Sequence, residues 1–74
     1  MQKRTVEHMY DVYDITNGRF KYITRIFAKR VDHAVNKFAK DSGLGRLELQ
    51  KDLETKGVWY AYSNTVHLQV NLFQ

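Results

Sequence analysis

The dipeptide Asn17-Gly18 lies between two segments rich in aromatic and β-branched residues. Asparagine and glycine readily adopt the positive φ angles of a type I′ turn, so the pair is a strong signal for a tight β-hairpin. We therefore predict a first strand over residues 7–15 and a second over residues 20–28. Because the 74-residue chain contains no cysteine, no disulfide can stabilise such a small fold, and the strands must share a hydrophobic core.

The two faces of the predicted hairpin differ in charge. A two-residue loop places Tyr13 opposite Tyr22 and Tyr10 opposite Arg25. We assign the less charged face to the core, although the other face is also unusually apolar for a solvated surface. The predicted core face carries Met9, Tyr13, Ile15, Phe20, Tyr22 and Ile26. The predicted outer face carries His8, Tyr10, Val12, Asp14, Lys21, Ile23, Arg25 and Phe27.

Residues 31–43 have the pattern of an amphipathic helix. Apolar residues recur at helical spacing and form one stripe. The stripe consists of Val31, Ala34, Val35, Phe38 and Ala39. Asp32 suits the first turn and Lys40 the last turn, where each opposes the helix dipole favourably. Gly43 is typical of the residue that follows a helix, whereas Arg30 is a poor N-cap.

The last third of the chain predicts three strands. Val66, Leu68, Val70 and Leu72 alternate with polar residues, and so do Leu47, Leu49 and Leu53. A three-residue loop at residues 55–57 would pair Leu53 with Trp59 and Asp52 with Tyr60. A two-residue turn at Asn64-Thr65 would pair Trp59 with Val70 and Ala61 with Leu68.

Both turns lead to the same assignment of faces. Trp59 and Ala61 point into the core, while Tyr60 and Tyr62 point outward. The outward neighbours are Gln50, Asp52, His67 and Gln69. The predicted fold is α+β, with a single helix packed on a curved antiparallel sheet in the order β-β-α-β-β-β. It forms one domain over residues 1–74, with a short basic arm at residues 1–5.

Composition narrows the classes of function. With 43% hydrophobic and 14% aromatic residues the chain is too apolar for disorder. No apolar run is long enough for a membrane span, and MQKRTVEH lacks the apolar segment of a signal peptide. The absence of cysteine suits a reducing cytoplasm. A net charge of +4 suits nucleic acid or an acidic protein surface as partner, although it also simply favours solubility.

No group of residues has the spacing of a catalytic or metal site. His8, His33 and His67 lack metal-ligand spacing, so we interpret them as surface histidines. The segment SGLGR, residues 42–46, has glycines like a phosphate loop, but it follows a helix, whereas anions bind at helix N-termini. We interpret its glycines as a C-cap and a turn.

Three carboxylates form the nearest approach to an acid–base site. Glu48, Asp52 and Glu54 are predicted to share one strand face, where paired carboxylates can exchange protons. Alternating polar residues are the usual pattern of a solvated strand face, which is the interpretation we favour. We therefore expect no enzymatic activity, no cofactor and no metal.

The order of elements resembles that of a known group of proteins. After the hairpin and helix, LGRLELQKDLETKGVWYAYSN predicts a strand, a glycine turn and an aromatic strand. This layout resembles the small anti-CRISPR inhibitors of phages, especially a type I-F inhibitor with one helix on a curved antiparallel sheet. The local likeness lies in Gly57, Trp59, Ala61 and Tyr62. The resemblance implies a phage protein in the cytoplasm of a bacterial host that binds a nucleic-acid-handling complex through lysines and arginines, without catalysis.

The leading hypothesis is a non-enzymatic phage-type protein that inhibits a CRISPR-type defence or nucleic-acid-processing complex by occupying a protein surface. Tyrosines surrounded by mixed charge suit a protein interface, although they also stabilise a sheet across its strands. The predicted partner-binding residues are Tyr60, Tyr62, Gln69, Lys29, Arg30 and Lys37. The partner is a host protein or ribonucleoprotein complex, with direct nucleic-acid contact as a further expectation.

Two alternatives come from other classes of function. Basic residues interleaved with aromatic rings are typical of a small module or regulator that binds DNA or RNA. A structural alternative is a homodimer joined through an apolar outer patch of Val12, Ile23 and Phe27.

Overall fold

The structure, a computed structural model, describes residues 6–73. The predicted basic arm at residues 1–5 lies outside the described residues. Within them the chain forms one α-helix and five strands in the predicted order β-β-α-β-β-β, which confirms the α+β fold class. The elements are β1 His8–Asp14, a 3₁₀ turn Thr16–Gly18, β2 Lys21–Ala28, α1 Val31–Ser42, β3 Glu48–Lys51, β4 Val58–Tyr62 and β5 His67–Phe73.

The five strands form one sheet in the order β2-β1-β5-β4-β3. All neighbouring strands run antiparallel. The C-terminal strand β5 therefore lies beside the N-terminal strand β1 and joins the two hairpins into a continuous sheet. The strands β2 and β3 form the two edges.

The first hairpin closes as the Asn17-Gly18 pair predicts. Asn17 has φ 57° and ψ 35°, and Gly18 has φ 81°, both in the left-handed region that a type I′ turn requires. The amide of Arg19 donates to the carbonyl oxygen of Thr16 at 3.2 Å and closes the turn. Beyond the turn Tyr13 lies opposite Tyr22, which confirms the predicted register at this end of the hairpin.

A β-bulge changes the register further along the hairpin. Tyr13 pairs with Tyr22 but Val12 pairs with Thr24, so Ile23 is an extra residue in β2. Tyr10 consequently lies opposite Ile26, and the predicted pairing of Tyr10 with Arg25 is wrong.

The predicted core face of the hairpin is also wrong for most of its residues. Tyr10 and Val12, expected outside, are buried, whereas Phe20 and Tyr22, expected inside, are 66% and 51% exposed. Ile26 is buried as predicted, because the bulge moves it to the same side as Tyr10. The low charge of the hairpin face that carries Tyr13 and Tyr22 did not indicate burial. In the sheet this face continues into polar residues of β5.

The helix α1 covers the buried face of the sheet. Its predicted apolar stripe is confirmed, with Ala34, Val35 and Ala39 buried. Gly43 has φ 68°, and the amide of Leu44 donates to the carbonyl oxygen of Ala39 at 2.9 Å, so the helix ends in the predicted glycine cap. The buried core consists of Tyr10, Val12, Ile26, Ala28, Ala34, Val35, Ala39, Leu47, Ala61, Leu68 and Val70.

The hairpin of β4 and β5 has the predicted register. Trp59 lies opposite Val70 and Ala61 opposite Leu68, as the Asn64-Thr65 turn predicts. Ala61 is fully buried, and Trp59 packs partly buried against the core, with its ring centroid 6.0 Å from that of Tyr10. Both side chains therefore point inward, as expected.

The connection between β3 and β4 is longer than predicted. Lys51 lies opposite Trp59, two positions from the predicted partner Leu53, so residues 52–57 form the loop. The carboxylate of Asp52 accepts the amides of Glu54 at 2.8 Å and Thr55 at 3.2 Å, and this local turn ends the strand. Leu53 is 93% exposed instead of buried. The shift is an even number of residues, which leaves the assignment of faces on β4 unchanged.

Within residues 6–73, no helix is both long enough and apolar enough to cross a membrane.

The stability of the fold depends on the centre of β5. Val70 is fully buried, so Val70→Ala removes two methyl groups from a closely packed site and lowers the free energy of unfolding by about 2 kcal/mol. Urea denaturation followed by circular dichroism measures this loss. Val6→Ala is the matched control, because Val6 is 63% exposed and its truncation should cost less than about 0.5 kcal/mol. Equal losses for both variants would contradict this location of the core.

Candidate functional site

One face of the sheet is not covered by α1, and we call it the open face. The strand registers define which side chains project from it. They are Tyr22, Arg25 and Phe27 on β2, Met9, Asp11 and Tyr13 on β1, His67, Gln69, Asn71 and Phe73 on β5, Val58, Tyr60 and Tyr62 on β4, and Glu48 and Gln50 on β3. This concentration of aromatic rings is unusual for a surface in water, so the open face is the candidate site.

The first ring cluster of the open face is centred on Tyr13. The ring of Phe20 stacks on that of Tyr13, with centroids 4.6 Å apart and an interplanar angle of 14°. Tyr22 meets Tyr13 edge-on at 5.5 Å. Such arrangements are favourable between aromatic rings. The cluster is therefore ordered, yet it presents exposed surfaces of Phe20 and Tyr22 to a partner.

The second ring cluster lies on β4 and β5. The ring of His67 lies edge-on to Tyr60 at 6.1 Å and to Tyr62 at 5.9 Å. Both tyrosines are half-buried and His67 is exposed. Their position on the outward side of β4 confirms the predicted alternation with Trp59 and Ala61.

An ion pair between the exposed Arg25 and the buried Asp11 lies at the centre of the β1–β2 half of the open face. Arg25 donates from Nε to Oδ1 of Asp11 at 2.7 Å and from a terminal nitrogen to Oδ2 at 3.2 Å. Its guanidinium carbon lies 4.5 Å from the ring centroid of Phe73. Asp11 is buried beneath these contacts. Because both charges are satisfied, this half of the open face presents mainly rings and apolar surface.

The hydrogen bond between Asp52 and Tyr60 joins the second ring cluster to the 52–57 loop. The hydroxyl of Tyr60 donates to Oδ2 of Asp52 at 2.8 Å. The amide of Glu54, the Tyr60 hydroxyl and the amide of Thr55 together hold the pKa of Asp52 below its usual range. The same hydrogen bond, with lesser effects of burial and of the Asp52 charge, raises the pKa of Tyr60. Asp52 therefore stays anionic beside the rings at neutral pH.

An open groove of about 590 Å³ lies between the second ring cluster and the loop. Its lining combines three rings, two carboxylates, one lysine and a highly exposed leucine. The lining residues are Gln50, Lys51, Asp52, Leu53, Glu54, Tyr60, Tyr62 and His67.

The structure brings together only half of the predicted partner-binding residues. Tyr60 and Gln69 lie opposite each other on the open face, with Tyr62 two positions along, and the side-chain amide of Gln69 donates to Asn71 at 3.0 Å. The predicted basic residues lie elsewhere. Lys29 and Arg30 follow β2, and Lys37 lies on the exposed side of α1.

The charge of Arg30 is already engaged within the chain. Its guanidinium donates to the carboxylate of Asp32 at 3.1 and 2.7 Å. This pairing, chiefly its hydrogen bond, lowers the pKa of Asp32 to about 2. Arg30 is therefore already paired with a carboxylate of its own chain.

All three residues of the first ring cluster were missed as binding residues. Tyr13, Phe20 and Tyr22 are predicted in the core because their hairpin face carries less charge than the other face. Both faces of the hairpin are apolar, and this was the one signal in the sequence that an exposed face would carry apolar side chains. Phe27 on the open face is one of them. The exposed patch of Val12, Ile23 and Phe27 proposed for a homodimer does not exist, since Val12 is buried and Phe27 projects from the opposite side of the sheet.

The three carboxylates predicted to share one strand face are divided between a strand and a loop. Glu48 lies on β3 whereas Asp52 and Glu54 lie in the following loop, so the predicted shared strand face is wrong. Among residues 6–73, no group of three histidine, aspartate or glutamate side chains lies in an arrangement that would hold a metal ion.

Comparisons of the chain with protein-family models, with curated proteins and with solved structures found no match. The open face is therefore interpreted from its own geometry.

Loss of the Tyr60–Asp52 hydrogen bond should change the pKa of Asp52. Tyr60→Phe removes one of three donors to Asp52, so the pKa of Asp52 should rise towards the ordinary value of about 4 while staying below it. Carbon-13 NMR titration of the carboxyl group measures this rise. Because the folded-state pKa is depressed, the stabilisation from ionised Asp52 is present above pH about 4 and is lost as pH falls through the folded-state pKa.

Tyr62→Phe is the matched control for this titration, since Asp52 accepts its tyrosine hydrogen bond from Tyr60. It should leave the pKa of Asp52 unchanged. An equal rise in both variants would show that the hydrogen bond does not hold the carboxylate in place.

Proposed function

We propose that this chain is a non-enzymatic, phage-type binding protein that inhibits a bacterial defence complex of the CRISPR type, or another nucleic-acid-processing complex. It does so by occupying a protein surface with its open face. The observation that carries the proposal is the uncovered sheet face with two ordered ring clusters, around Tyr13 and around His67.

The composition of the open face favours a protein partner. Tyrosine and phenylalanine supply a large contact area with few rotatable bonds and are enriched in protein interfaces. Phe20, Tyr22, Phe27 and Phe73 are all substantially exposed. Hydrogen-bonding groups of Gln69 and Asn71 lie between the two ring clusters, as in an interface that alternates apolar and polar contacts.

The distribution of charge supports the same partner class. The central Arg25–Asp11 pair is neutral as a unit. Asp52 and Glu54 place negative charge beside the second ring cluster, where it would repel a phosphate backbone. Lys37 and Lys40 lie on the exposed side of α1, away from the open face. Nucleic acid that contacted these two lysines would therefore lie on a different side from the stacking rings.

The inhibitor role is supported by the layout of the chain. One helix on an antiparallel sheet, in the order β-β-α-β-β-β, is the arrangement on which the resemblance to phage anti-CRISPR inhibitors rests. A protein of this kind acts by steric occupation and requires no catalytic group. Its target would be a large complex with a surface that accepts aromatic side chains.

A small DNA- or RNA-binding module remains a second candidate for one reason. Around the first hairpin turn, Arg19 and Lys21 alternate with the exposed rings of Phe20 and Tyr22. Bases stack on such rings while basic groups contact phosphates. Binding of this kind would weaken steeply with salt, because phosphate contacts release counterions.

Paired tyrosine truncation tests the proposed interface. The tagged chain is used to capture complexes from a nuclease-treated bacterial lysate, and affinity is then measured for the purified complex. Tyr60→Ala with Tyr62→Ala should weaken binding by about 30-fold or more, the loss typical of interface hot spots. Circular dichroism verifies that the variant is folded.

Lys37→Ala with Lys40→Ala is the control on the helical side of the molecule. It should change the affinity less than about threefold, the effect expected of residues outside an interface. A loss confined to the lysine variant would contradict the open face as the binding surface. Capture that collapses on nuclease treatment would favour the nucleic-acid module instead.

A further inference from the structure

We infer that the groove beside the second ring cluster binds an arginine side chain of the partner protein. The groove is the one of about 590 Å³ lined by Tyr60, Tyr62, His67 and the 52–57 loop. The inference rests on the proposed function, since it names the chemistry that the partner would present at one end of the open face.

The rings of the groove suit a flat cation. Tyr60 and Tyr62 project from the same side of β4, and His67 lies within 6.1 Å of both ring centroids. A guanidinium group is planar and stacks on aromatic faces, where the negative charge of the π-system attracts it. Donation of the Tyr60 hydroxyl to a carboxylate makes that ring richer in electrons, which strengthens this attraction.

The carboxylates of the groove supply the complementary charge. Asp52 and Glu54 both line it, against the single positive charge of Lys51. Glu48 lies opposite Tyr62 on β3 and adds a third carboxylate at the edge of the open face. A cationic side chain that enters the groove therefore meets both aromatic rings and carboxylates in its lining.

The position of the Asp52 carboxylate is determined before any partner binds. It accepts two backbone amides and the Tyr60 hydroxyl, all within 3.2 Å. The loop that carries Glu54 and Leu53 is held by the same contacts. Binding an arginine would then require little reorganisation of the groove, which favours affinity.

The other half of the open face already shows what these groups do with an arginine. Arg25 is bound there by the carboxylate of Asp11 at 2.7 Å and lies 4.5 Å from the ring centroid of Phe73. Carboxylate and ring thus act together on one guanidinium. The groove offers the same two kinds of group, in Asp52 or Glu54 and the tyrosines, to an arginine from outside.

Arginine fits this groove better than lysine does. The guanidinium donates in the plane of its fork while its faces remain free to stack, whereas the compact ammonium of lysine is strongly hydrated and stacks poorly. The exposed side chain of Leu53 would pack against the methylene stem of an arginine.

NMR titration with short peptides tests the inference on the intact chain. The probes are capped tripeptides Ala-X-Ala in which X is arginine, lysine or the neutral isostere citrulline. The arginine peptide should shift the ring signals of Tyr60, Tyr62 and His67 saturably. The citrulline peptide should bind at least about fivefold more weakly than the arginine peptide, because it keeps the shape but lacks the charge.

Three substitutions locate the binding to the groove. Tyr62→Leu removes a ring without touching the Asp52 hydrogen bonds and should weaken arginine binding about threefold or more. Tyr22→Leu is the matched control on the other ring cluster and should have no effect. Lys51→Gln removes the one positive charge of the lining and should tighten binding.

Defined results would overturn the inference. They are equal binding of arginine and citrulline, binding of lysine as tight as that of arginine, or signal changes at Tyr22 as large as those at Tyr62. Should Tyr62→Leu fail to fold, the comparison of the peptides on the unaltered chain decides the question. If the peptides fail while the Tyr60→Ala, Tyr62→Ala variant still loses its partner, the arginine inference falls and the proposed function stands.

Discussion

A single short helix can cover only one face of the sheet. The 12-residue helix α1 is about 18 Å long and about 10 Å in diameter, while five strands about 4.8 Å apart span about 19 Å. The core forms where the helix lies, around Val70 and Ala61. The opposite face must be stabilised by contacts among its own side chains. Stacked rings, a partly buried ion pair and a side-chain amide hydrogen bond provide these contacts.

The bulge at Ile23 decides which hairpin residues reach the open face. Tyr22 and Arg25 are three positions apart, so in a regular strand they would project from opposite sides of the sheet. The extra residue places both on the same side, Tyr22 beside Tyr13 and Arg25 beside Asp11. The same shift allows Ile26 and Ala28 to pack under the helix. One inserted residue thus places the Arg25–Asp11 ion pair on the same face of the sheet as the first ring cluster.

Features determined by local sequence could be predicted, and features determined by contacts across strands could not. The Asn17-Gly18 turn, the helix with its Gly43 cap and the Asn64-Thr65 register follow from short-range conformational preferences. The bulge depends on how two apolar hairpin faces compete for the helix, which no local pattern reveals.

The candidate site divides in the same way. The outward position of Tyr60 and Tyr62 followed from strand alternation. The loop that completes their groove could not be predicted in the same way. Its length depends on the Asp52 side chain, which accepts two backbone amides and thereby ends β3 after Lys51. The first ring cluster lies on the less charged face of the hairpin, and that low charge predicted a position in the core. Sequence reasoning thus located one half of the open face and missed the other.

In the proposed mode of binding, the open face contacts the partner and the helical side does not. Cross-saturation NMR measures this directly, by irradiating the bound partner and recording which signals of the labelled chain lose intensity. We expect losses at Tyr22, Tyr60 and Tyr62, and none at the buried Tyr10 or at Lys37 and Lys40 of α1. Losses confined to α1, with the tyrosines of the open face unaffected, would contradict the account.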